Sequence, residues 1–137
     1  MKTNFTIEDN YAVIKDGIQI DLHNNFDYKG FVDNVSDFKI EFVKMNGNWI
    51  KENEFSRLIF NFKDVSYRFL GDGDSEANQE DKVTLGEISF FPQDLRDVND
   101  SIIPQAEPKE NDDLIFIFED GKVIRLSCDF VELITIE

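Results

Sequence analysis

The side-chain spacing in this sequence that comes closest to a known binding site is a set of carboxylates at alternate positions. Asp72, Asp74 and Glu76 stand at every second residue, as the oxygen ligands of calcium-binding loops do. An EF-hand that began at Asp72 would also need glycine at its sixth position and a bidentate acid at its twelfth. The chain has Ala77 and Val83 there, so we predict no EF-hand, and no metal or cofactor is expected.

Residue types that carry out catalysis are otherwise sparse. His23 is the only histidine and follows Asp21, but no nucleophile accompanies this pair, and a strand-end position is the commoner role of such a histidine. Cys128 alternates with Ile124 and Leu126, which predicts a buried apolar side chain rather than a reactive thiol. The sequence lacks a phosphate-binding glycine loop, a GxSxG elbow and an HExxH motif. We therefore do not expect an enzyme.

The acidic residues are unevenly distributed along the chain. There are 29 Asp and Glu against 14 Lys and Arg, a net charge of −15. Residues 71–113 hold 13 of these acids and 3 of the basic residues, which is −10 of the −15. Two loops, 71–81 and 93–113, concentrate the excess and contain the candidate partner-binding carboxylates Asp72, Asp74, Glu76, Glu80, Asp81, Asp94, Asp97 and Asp100.

Three interpretations of these acidic loops are open. They are solvated loops that keep the protein soluble, or an acidic face that steers a basic protein partner while a few apolar anchors supply affinity. The least favoured of the three is a metal site of another kind than an EF-hand on the alternate carboxylates. Trp49 and Phe91 are the candidate anchors, with Ile102-Ile103 as a third. Nucleic acid is not an expected partner, because the net charge of −15 repels phosphates and no basic stripe compensates for it.

Period-two alternation of apolar residues, interrupted by Gly, Asn and Asp, predicts that these loops are carried by β-strands. Near the C-terminus, Asp120-Gly121 predicts a two-residue type I′ turn. Such a turn pairs Phe118 with Val123 and Ile117 with Ile124. It would place Ile115, Ile117, Ile124 and Leu126 on one face of the hairpin, and Phe116, Phe118, Val123 and Arg125 on the other.

Three further features of the sheet are predicted by the same pattern. Asp16-Gly17 predicts a hairpin that pairs Val13 with Ile20 and Tyr11 with Leu22. Apolar matching sets Phe42 against Leu58, Ile40 against Phe60 and Phe38 against Phe62, so the chain should make an excursion through 45–55 instead of turning tightly at Asn46-Gly47. Strands are also expected near 65–70 and 83–91, the latter with a bulge at Gly86.

Together these elements predict a single all-β domain over residues 1–137. We expect an antiparallel sandwich or a strongly curled sheet of about eight strands, with short helices only at 93–100 and in part of 24–35. The 14 Phe residues can supply its core. No apolar stretch has the length of a signal peptide or a membrane span. The single cysteine favours a reducing, cytoplasmic compartment.

Three segments carry a resemblance to a known group of proteins: FDYKGFVDNVSDFKIEF (26–42), RLIFNFKDVSYRF (57–69) and IFIFEDGKVIRLSC (115–128). They resemble small, acidic, β-rich bacterial proteins, a group that includes immunity proteins of polymorphic toxin systems. Those proteins neutralise a toxin by binding it. The resemblance implies stoichiometric binding rather than turnover, and it assigns no site residue.

The leading expectation is therefore a non-enzymatic binding protein, plausibly immunity-like, that presents its acidic loops to a basic protein partner. One alternative is a small hydrolase or a carbohydrate-binding module with a carboxylate-lined cleft and His23 at its floor. A second alternative is a structural subunit of a larger assembly. An uncovered apolar sheet face at Phe116 and Phe118 would support that role.

Overall fold

Two antiparallel sheets face each other across a phenylalanine-rich core in the computed structural model, which describes residues 1–51 and 54–137. This confirms the predicted β-rich sandwich. The described residues form twelve strands instead of about eight, because several strands near the N-terminus have only two to four residues. The strands are β1 (Lys2–Thr3), β2 (Thr6–Glu8), β3 (Ala12–Lys15), β4 (Ile18–Asp21), β5 (Phe26–Asp33), β6 (Phe38–Lys44), β7 (Arg57–Lys63), β8 (Tyr67–Gly71), β9 (Leu85–Pro92), β10 (Asp112–Phe118), β11 (Val123–Ser127) and β12 (Phe130–Ile136).

The strands form three sheets. Sheet A has the order β1-β12-β7-β6-β5, and sheet B has the order β8-β11-β10-β9. A smaller sheet C, β2-β3-β4, contributes Ile7, Val13 and Ile20 to the same core. Consecutive strands pair antiparallel in most places, but β12 is inserted between β7 and the short β1, which it pairs in parallel.

The core lies between the inner faces of sheets A and B. Phe116 of sheet B is in contact with three rings of sheet A, with centroid distances of 6.5 Å to Phe42, 5.4 Å to Phe60 and 6.2 Å to Phe62. Phe5 adds an edge contact of 5.4 Å to Phe60 from the N-terminal side. All five rings are buried. Alternate inward residues of two sheets therefore form one aromatic core, as a sandwich requires.

The central strand pairing is as the sequence predicts. β6 and β7 pair Phe38 with Phe62, Ile40 with Phe60 and Phe42 with Leu58. The excursion between these strands spans residues 45–56, of which 52 and 53 lie outside the described residues. Burial of a whole apolar face thus prevails over the turn preference of Asn46-Gly47.

The predicted bulge at Gly86 is also present. Ile117 pairs with Glu87, and the next residue, Phe118, pairs with Leu85, so Gly86 is the extra residue of β9. An added Cβ at Gly86 would lie 3.1 Å from the Ile117 carbonyl oxygen. Glycine therefore permits the close approach of the two strands at this point.

The register of the C-terminal hairpin differs from the prediction by one residue. Phe116 pairs with Ile124 and Ile117 with Val123, because Gly121 N donates to Phe118 O and Phe118 N donates to Lys122 O, which makes a loop of three residues. Only Gly121 of the Asp120-Gly121 pair has positive φ, at 89°, as expected for a three-residue loop closed by a bulge. The face with Leu114, Phe116, Phe118, Ile124 and Leu126 is the core face, so no apolar face is left uncovered at Phe116 and Phe118.

The other Asp-Gly turn has the predicted two residues. Asp16 and Gly17 have φ of 52° and 76°, and they connect Lys15 to its partner Ile18. Val13 pairs with Ile20 as predicted. Leu22 does not extend the ladder to Tyr11, because it begins the helix α1 (Leu22–Asn25) instead.

The helices are short, and their positions agree only in part with those predicted from the sequence. Residues 93–100 contain a 3-10 turn, Gln93–Leu95, and the prediction within 24–35 is reduced to the end of α1, because β5 begins at Phe26. A second helix, α2 (Gln79–Val83), was not predicted and lies in the first acidic loop. Within the ranges described, none of the helices has the length and apolar character needed to span a membrane.

Candidate functional site

The first acidic segment, residues 72–84, is folded onto the turn between β10 and β11. Asp74 N donates to Asp120 O at 2.8 Å, and Asp120 N donates to Asp81 O at 3.2 Å. Lys122 Nζ donates to Lys82 O at 3.0 Å. The Asn78 side chain caps α2 by accepting from Asp81 N at 2.9 Å. These bonds fix the backbone of the segment while its carboxylates point to solvent.

Gly73 is necessary for this packing. The Asp120 side chain is 4% exposed and accepts from Lys122 N at 3.0 Å. A Cβ at Gly73 would overlap the Asp120 carboxylate. Any larger residue at position 73 would therefore force this nearly buried carboxylate to move.

The second acidic segment, residues 93–111, is held by a buried guanidinium. Arg125 is completely buried, and its Nε donates to Asp113 Oδ2 at 2.8 Å. Its Nη1 donates to the carbonyl oxygens of Leu95 and Val98, both at 3.0 Å, and its Nη2 donates to Pro92 O at 2.8 Å. One arginine thus fixes the start of the segment over the outer face of sheet B.

A second arginine completes this cluster. Arg96 donates to both oxygens of Asp113, at 3.0 and 2.8 Å, and its guanidinium lies 3.6 Å from the centre of the Tyr67 ring. The hydrogen bond to Asp113 raises the pKa of Arg96. Asp113 and Asp112 are therefore not free surface acids: Asp113 pairs with two arginines, and Asp112 accepts from Lys109 N at 2.7 Å.

The two acidic segments lie at opposite ends of sheet B, so they do not form one continuous face. Asp74 is bonded at the turn that follows β10, whereas Gln93 N donates to Asn111 O just before β10 begins. The seven residues of β10 separate these points by roughly 20 Å at about 3.3 Å per residue. A partner that touches both segments would have to span this length.

The predicted carboxylates themselves are available to solvent. Seven of the eight are exposed and Asp81 is half-buried. Throughout the described ranges, none of the eight pairs with a basic side chain, in contrast to Asp113 and Asp120. Nor do the described residues arrange three or more Asp, Glu, His or Cys side chains to hold a metal ion.

The predicted apolar anchors have different surroundings. Phe91 is 3% exposed and packs with Ile115 and Val123 beneath the second segment, so it is not a surface anchor. Ile102 packs on the same cluster, whereas Ile103 is 73% exposed. Trp49 is 63% exposed and lies beside the first acidic segment.

Trp49 and the first acidic segment share one concave site of about 520 Å³. We call it the Trp49 cleft. It lies where the 45–56 excursion of sheet A meets α2, and it is lined by His23, Asn24, Met45, Trp49, Glu80, Asp81, Thr84 and Glu119. Three of the predicted site residues, Trp49, Glu80 and Asp81, are therefore brought together, although Trp49 and Glu80 are 31 positions apart in the chain.

The indole of Trp49 is held in place on two sides. Its Nε1 donates to Asn24 O at 3.1 Å. An added Cβ at Gly47 would lie 2.2 Å from the ring, so the ring rests directly on that glycine. Because the side chain is still 63% exposed, the face opposite Gly47 is available to a ligand.

His23 and Glu119 also line the cleft. The hydrolase or carbohydrate-binding alternative places His23 at the floor of a carboxylate-lined cleft, whereas no sequence pattern marks Glu119. His23 Nδ1 lies 2.6 Å from Leu85 O and 3.8 Å from Glu119 Oε1. Contact with a carbonyl oxygen requires a proton on Nδ1, so Nε2 is the acceptor of the neutral ring. Glu119 is the first residue of the three-residue loop between β10 and β11.

The cleft combines an aromatic face with three carboxylates, from Glu80, Asp81 and Glu119. Such a set favours a cation, which gains both from the negative face of the indole and from the carboxylates. No family model, no curated protein and no solved structure matches this chain.

Proposed function

We propose that this chain is a binding protein, and that its first acidic segment and the Trp49 cleft form the surface that engages a basic protein partner. The observation that carries the proposal is the position of the exposed Trp49 next to Glu80 and Asp81 in one cleft. Tryptophan is among the residues that supply most of the affinity in protein interfaces. The negative charges around it speed the encounter with a basic partner and select against partners of the wrong charge.

The first acidic segment supports this role because its backbone is held in one conformation and its side chains are negatively charged. Asp72, Asp74, Glu76 and Glu80 are exposed, whereas the backbone beneath them is bonded to the β10–β11 turn. A surface that is already ordered loses little conformational entropy when it binds. The second segment, about 20 Å away along the sheet, contributes to the long-range field of a protein with a net charge of −15.

The resemblance to immunity proteins of polymorphic toxin systems suggests the class of partner. Such a toxin would be bound without turnover, and the net charge of −15 favours a toxin with a basic surface. The expected cytoplasmic location of the chain fits that role, because an inhibitor of this kind acts in the cell that must be protected.

A second candidate function is carbohydrate binding or hydrolysis in the same cleft. Trp49 is favourable for this role, since a sugar ring stacks on an exposed indole, and paired carboxylates can act as acid and base in glycoside hydrolysis. The two candidates differ in the charge of the ligand. A neutral sugar would bind with little dependence on salt, whereas a basic protein would bind less well as salt is raised.

The proposal is tested by reversing three charges in the first acidic segment. An equal reversal in the second acidic segment, at the other end of sheet B, is the control. The test variant is Asp72→Lys/Asp74→Lys/Glu76→Lys, and the control is Asp94→Lys/Asp97→Lys/Asp100→Lys. Both change the net charge by +6. Proteins that bind the wild type at 1:1 stoichiometry are captured from lysate of the native organism, and their association rates are measured at several salt concentrations.

We expect the test variant to slow association by about tenfold or more, and the control to slow it much less. Equal slowing by the two variants would mean that net charge alone acts, and would contradict the proposal. Unchanged binding by the test variant would contradict it as well. Saturable, salt-independent binding of an oligosaccharide that Trp49→Ala abolishes would favour the second candidate function instead.

A further inference from the structure

We infer that the Trp49 cleft is a receptor for one arginine side chain of the partner, a more specific statement that rests on the proposed function. The cleft offers the two surfaces that a guanidinium requires. One is a flat aromatic face, and the other is a set of carboxylate oxygens. The charge of the loops alone indicates only a basic partner, whereas the cleft indicates which chemical group of that partner is bound.

The aromatic surface is fixed before a ligand arrives. The indole of Trp49 is anchored at its nitrogen by Asn24 O and rests on Gly47. Asn24 is itself held, because its backbone N–H and its side-chain Nδ2 both donate to the Asp21 carboxylate at 2.9 Å. Stacking on such a ring does not require the indole to give up rotational freedom.

The backbone that carries the carboxylates is fixed as well. Asp81 and Glu80 belong to α2, which the Asn78 cap and the Asp120 N to Asp81 O bond hold in place. Glu119 belongs to the β10–β11 loop and lies near the bulge at Gly86. Lys82 does not neutralise these acids by pairing with them, since its Nζ donates to Ser75 O at 3.2 Å.

His23 is the remaining ionisable side chain of the cleft. Its Nδ1 proton is directed to Leu85 O. Glu80, Asp81 and Glu119 are the charged groups that share the cleft with it. The cleft therefore brings three carboxylates together beside one imidazole whose Nδ1 proton is already bonded to the backbone.

The chain already binds one of its own guanidinium groups with this combination of surfaces. Arg96 lies 3.6 Å from the centre of the Tyr67 ring and donates to both oxygens of Asp113. Ring and carboxylate together hold that side chain on the outer face of sheet B. Trp49 with the carboxylates of α2 offers the same two contacts to an arginine from outside.

Arginine is preferred to lysine for two physical reasons. A guanidinium is planar, so it stacks on the indole while its edge donates several hydrogen bonds to carboxylates. An ammonium group is more strongly hydrated and has no flat face, so it loses more water and makes fewer contacts. The cleft, at about 520 Å³, also has room for the residues that flank the arginine in a peptide.

Three blocked tripeptides test the inference with the intact protein: acetyl-Gly-Arg-Gly-amide, its lysine analogue and its citrulline analogue. Citrulline keeps the planar shape of arginine without the charge. Binding is followed by the emission of Trp49, the only tryptophan, and by calorimetry. We expect saturable binding of the arginine peptide, binding of the lysine peptide weaker by about fivefold, and no saturation with citrulline.

Two variants and a control assign the binding to the cleft. Gly47→Ala displaces the indole from its support, and Glu80→Gln/Asp81→Asn removes two charges; each should weaken arginine binding by about fivefold or more. The control Asp94→Asn/Asp97→Asn removes the same charge at the opposite end of sheet B and should leave binding unchanged. All four substituted carboxylates are exposed or half-buried, and circular dichroism verifies the fold of each variant.

Equal affinity for arginine and citrulline, or equal weakening by the control, would overturn the inference. The proposed function can fail separately. If the arginine peptide does not bind but partner association still depends on Asp72, Asp74 and Glu76, only the arginine receptor is wrong. If the arginine peptide binds but charge reversal leaves partner association unchanged, the acidic surface is not the interface, although the cleft still takes a guanidinium.

Discussion

The carboxylate of Asp113 lies 2.8 Å from Arg125 Nε, and neither side chain has any exposure to solvent. This pair lies on the outer face of sheet B, between the sheet and the second acidic segment. Burial of two charges is favourable only when each has further hydrogen-bond partners. Here Arg125 donates to the carbonyl oxygens of Leu95 and Val98 in the segment and of Pro92 at the end of β9, and Asp113 also accepts from Arg96.

Asp113→Asn should therefore destabilise the protein strongly. The substitution leaves the guanidinium of Arg125 buried without a counter-charge, and breaking a buried pair in this way costs about 3–5 kcal/mol. Urea unfolding monitored by circular dichroism measures the loss in the free energy of unfolding. Asp94→Asn, at an exposed position of the same segment, is the matched control and should change it by less than about 0.5 kcal/mol. Similar values for the two variants would show that the buried pair is not important for stability.

Gly73→Ala should destabilise the fold and loosen the first acidic segment. The new methyl group would have to displace the nearly buried carboxylate of Asp120, which lies 2.3 Å from the Cβ position. Overpacking of this kind typically costs about 1–3 kcal/mol. Thermal unfolding gives the stability, and hydrogen exchange at Asp74, whose amide is bonded to Asp120 O, gives the local effect. Ser75→Ala, two residues further on and exposed, should be nearly neutral; a neutral Gly73→Ala would contradict the close approach.

The register of the C-terminal hairpin predicts unequal effects of alanine at two neighbouring positions. Phe116 is buried against Phe42, Phe60 and Phe62, so Phe116→Ala should cost about 3–5 kcal/mol through the cavity it leaves. Ile117 is only half-buried on the outer face, and Ile117→Ala should cost much less. Denaturant midpoints of the two variants measure the difference. The opposite order would mean that the outer face is the one covered by sheet A.

Stability should fall at alkaline pH because two buried acids ionise more readily in the unfolded chain. Burial raises the pKa of Cys128 from 9.0 to about 12, and burial together with the nearby Asp120 raises the pKa of Tyr28 from 10.0 to about 12. The folded state therefore keeps protons that the unfolded state has lost, so the stability present below pH 9 is lost between about pH 9 and 12.

Urea midpoints at pH 8, 10 and 11 test this dependence. Tyr28→Phe and Cys128→Ala remove one ionisation each, and each should make the decline between pH 8 and 11 shallower than in the wild type. A wild-type midpoint that stays constant over this range would rule out the predicted loss. Slow reaction of Cys128 with iodoacetamide in the folded protein is a second expected consequence of its raised pKa.

The parts of the fold that could be predicted depend on apolar patterns that are complete within neighbouring segments. Phe38, Ile40 and Phe42 form an apolar strand face that needs an apolar neighbour. Residues 58–62 pair with it so that the apolar faces of both strands point to the core. The bulge could be located because Gly86 stands where the alternation changes. In both cases the information is in the residues that make the contact.

The C-terminal hairpin shows the limit of such local reasoning. Asp16-Gly17 and Asp120-Gly121 are the same dipeptide, but the first forms a two-residue turn and the second is part of a three-residue loop. The two turns differ in length because the side chains of the strands that they connect must point in particular directions. Phe116 and Phe118 have to point towards the rings of sheet A, and the extra loop residue brings Ile124 and Leu126 to the same side.

The candidate site could be predicted in its components but not in its assembly. Glu80, Asp81 and Trp49 were marked by charge and by side-chain type. His23 was expected beside carboxylates only in the hydrolase or carbohydrate-binding alternative, and Glu119 was not marked. Their meeting depends on α1, the 45–56 excursion, the β10–β11 loop and the unpredicted helix α2. The burial of Asp113 had no local signal either, since its partner Arg125 is 12 residues away on another strand.

The position of β12 within sheet A determines when this protein can fold during its synthesis. β12 pairs with β7 on one side and β1 on the other, so β1 has no neighbouring strand until residues 130–136 have left the ribosome. Until then the growing chain carries an unpaired edge at β7, which favours aggregation. We expect its folding to be limited by the long-range β7–β12 and β1–β12 pairings.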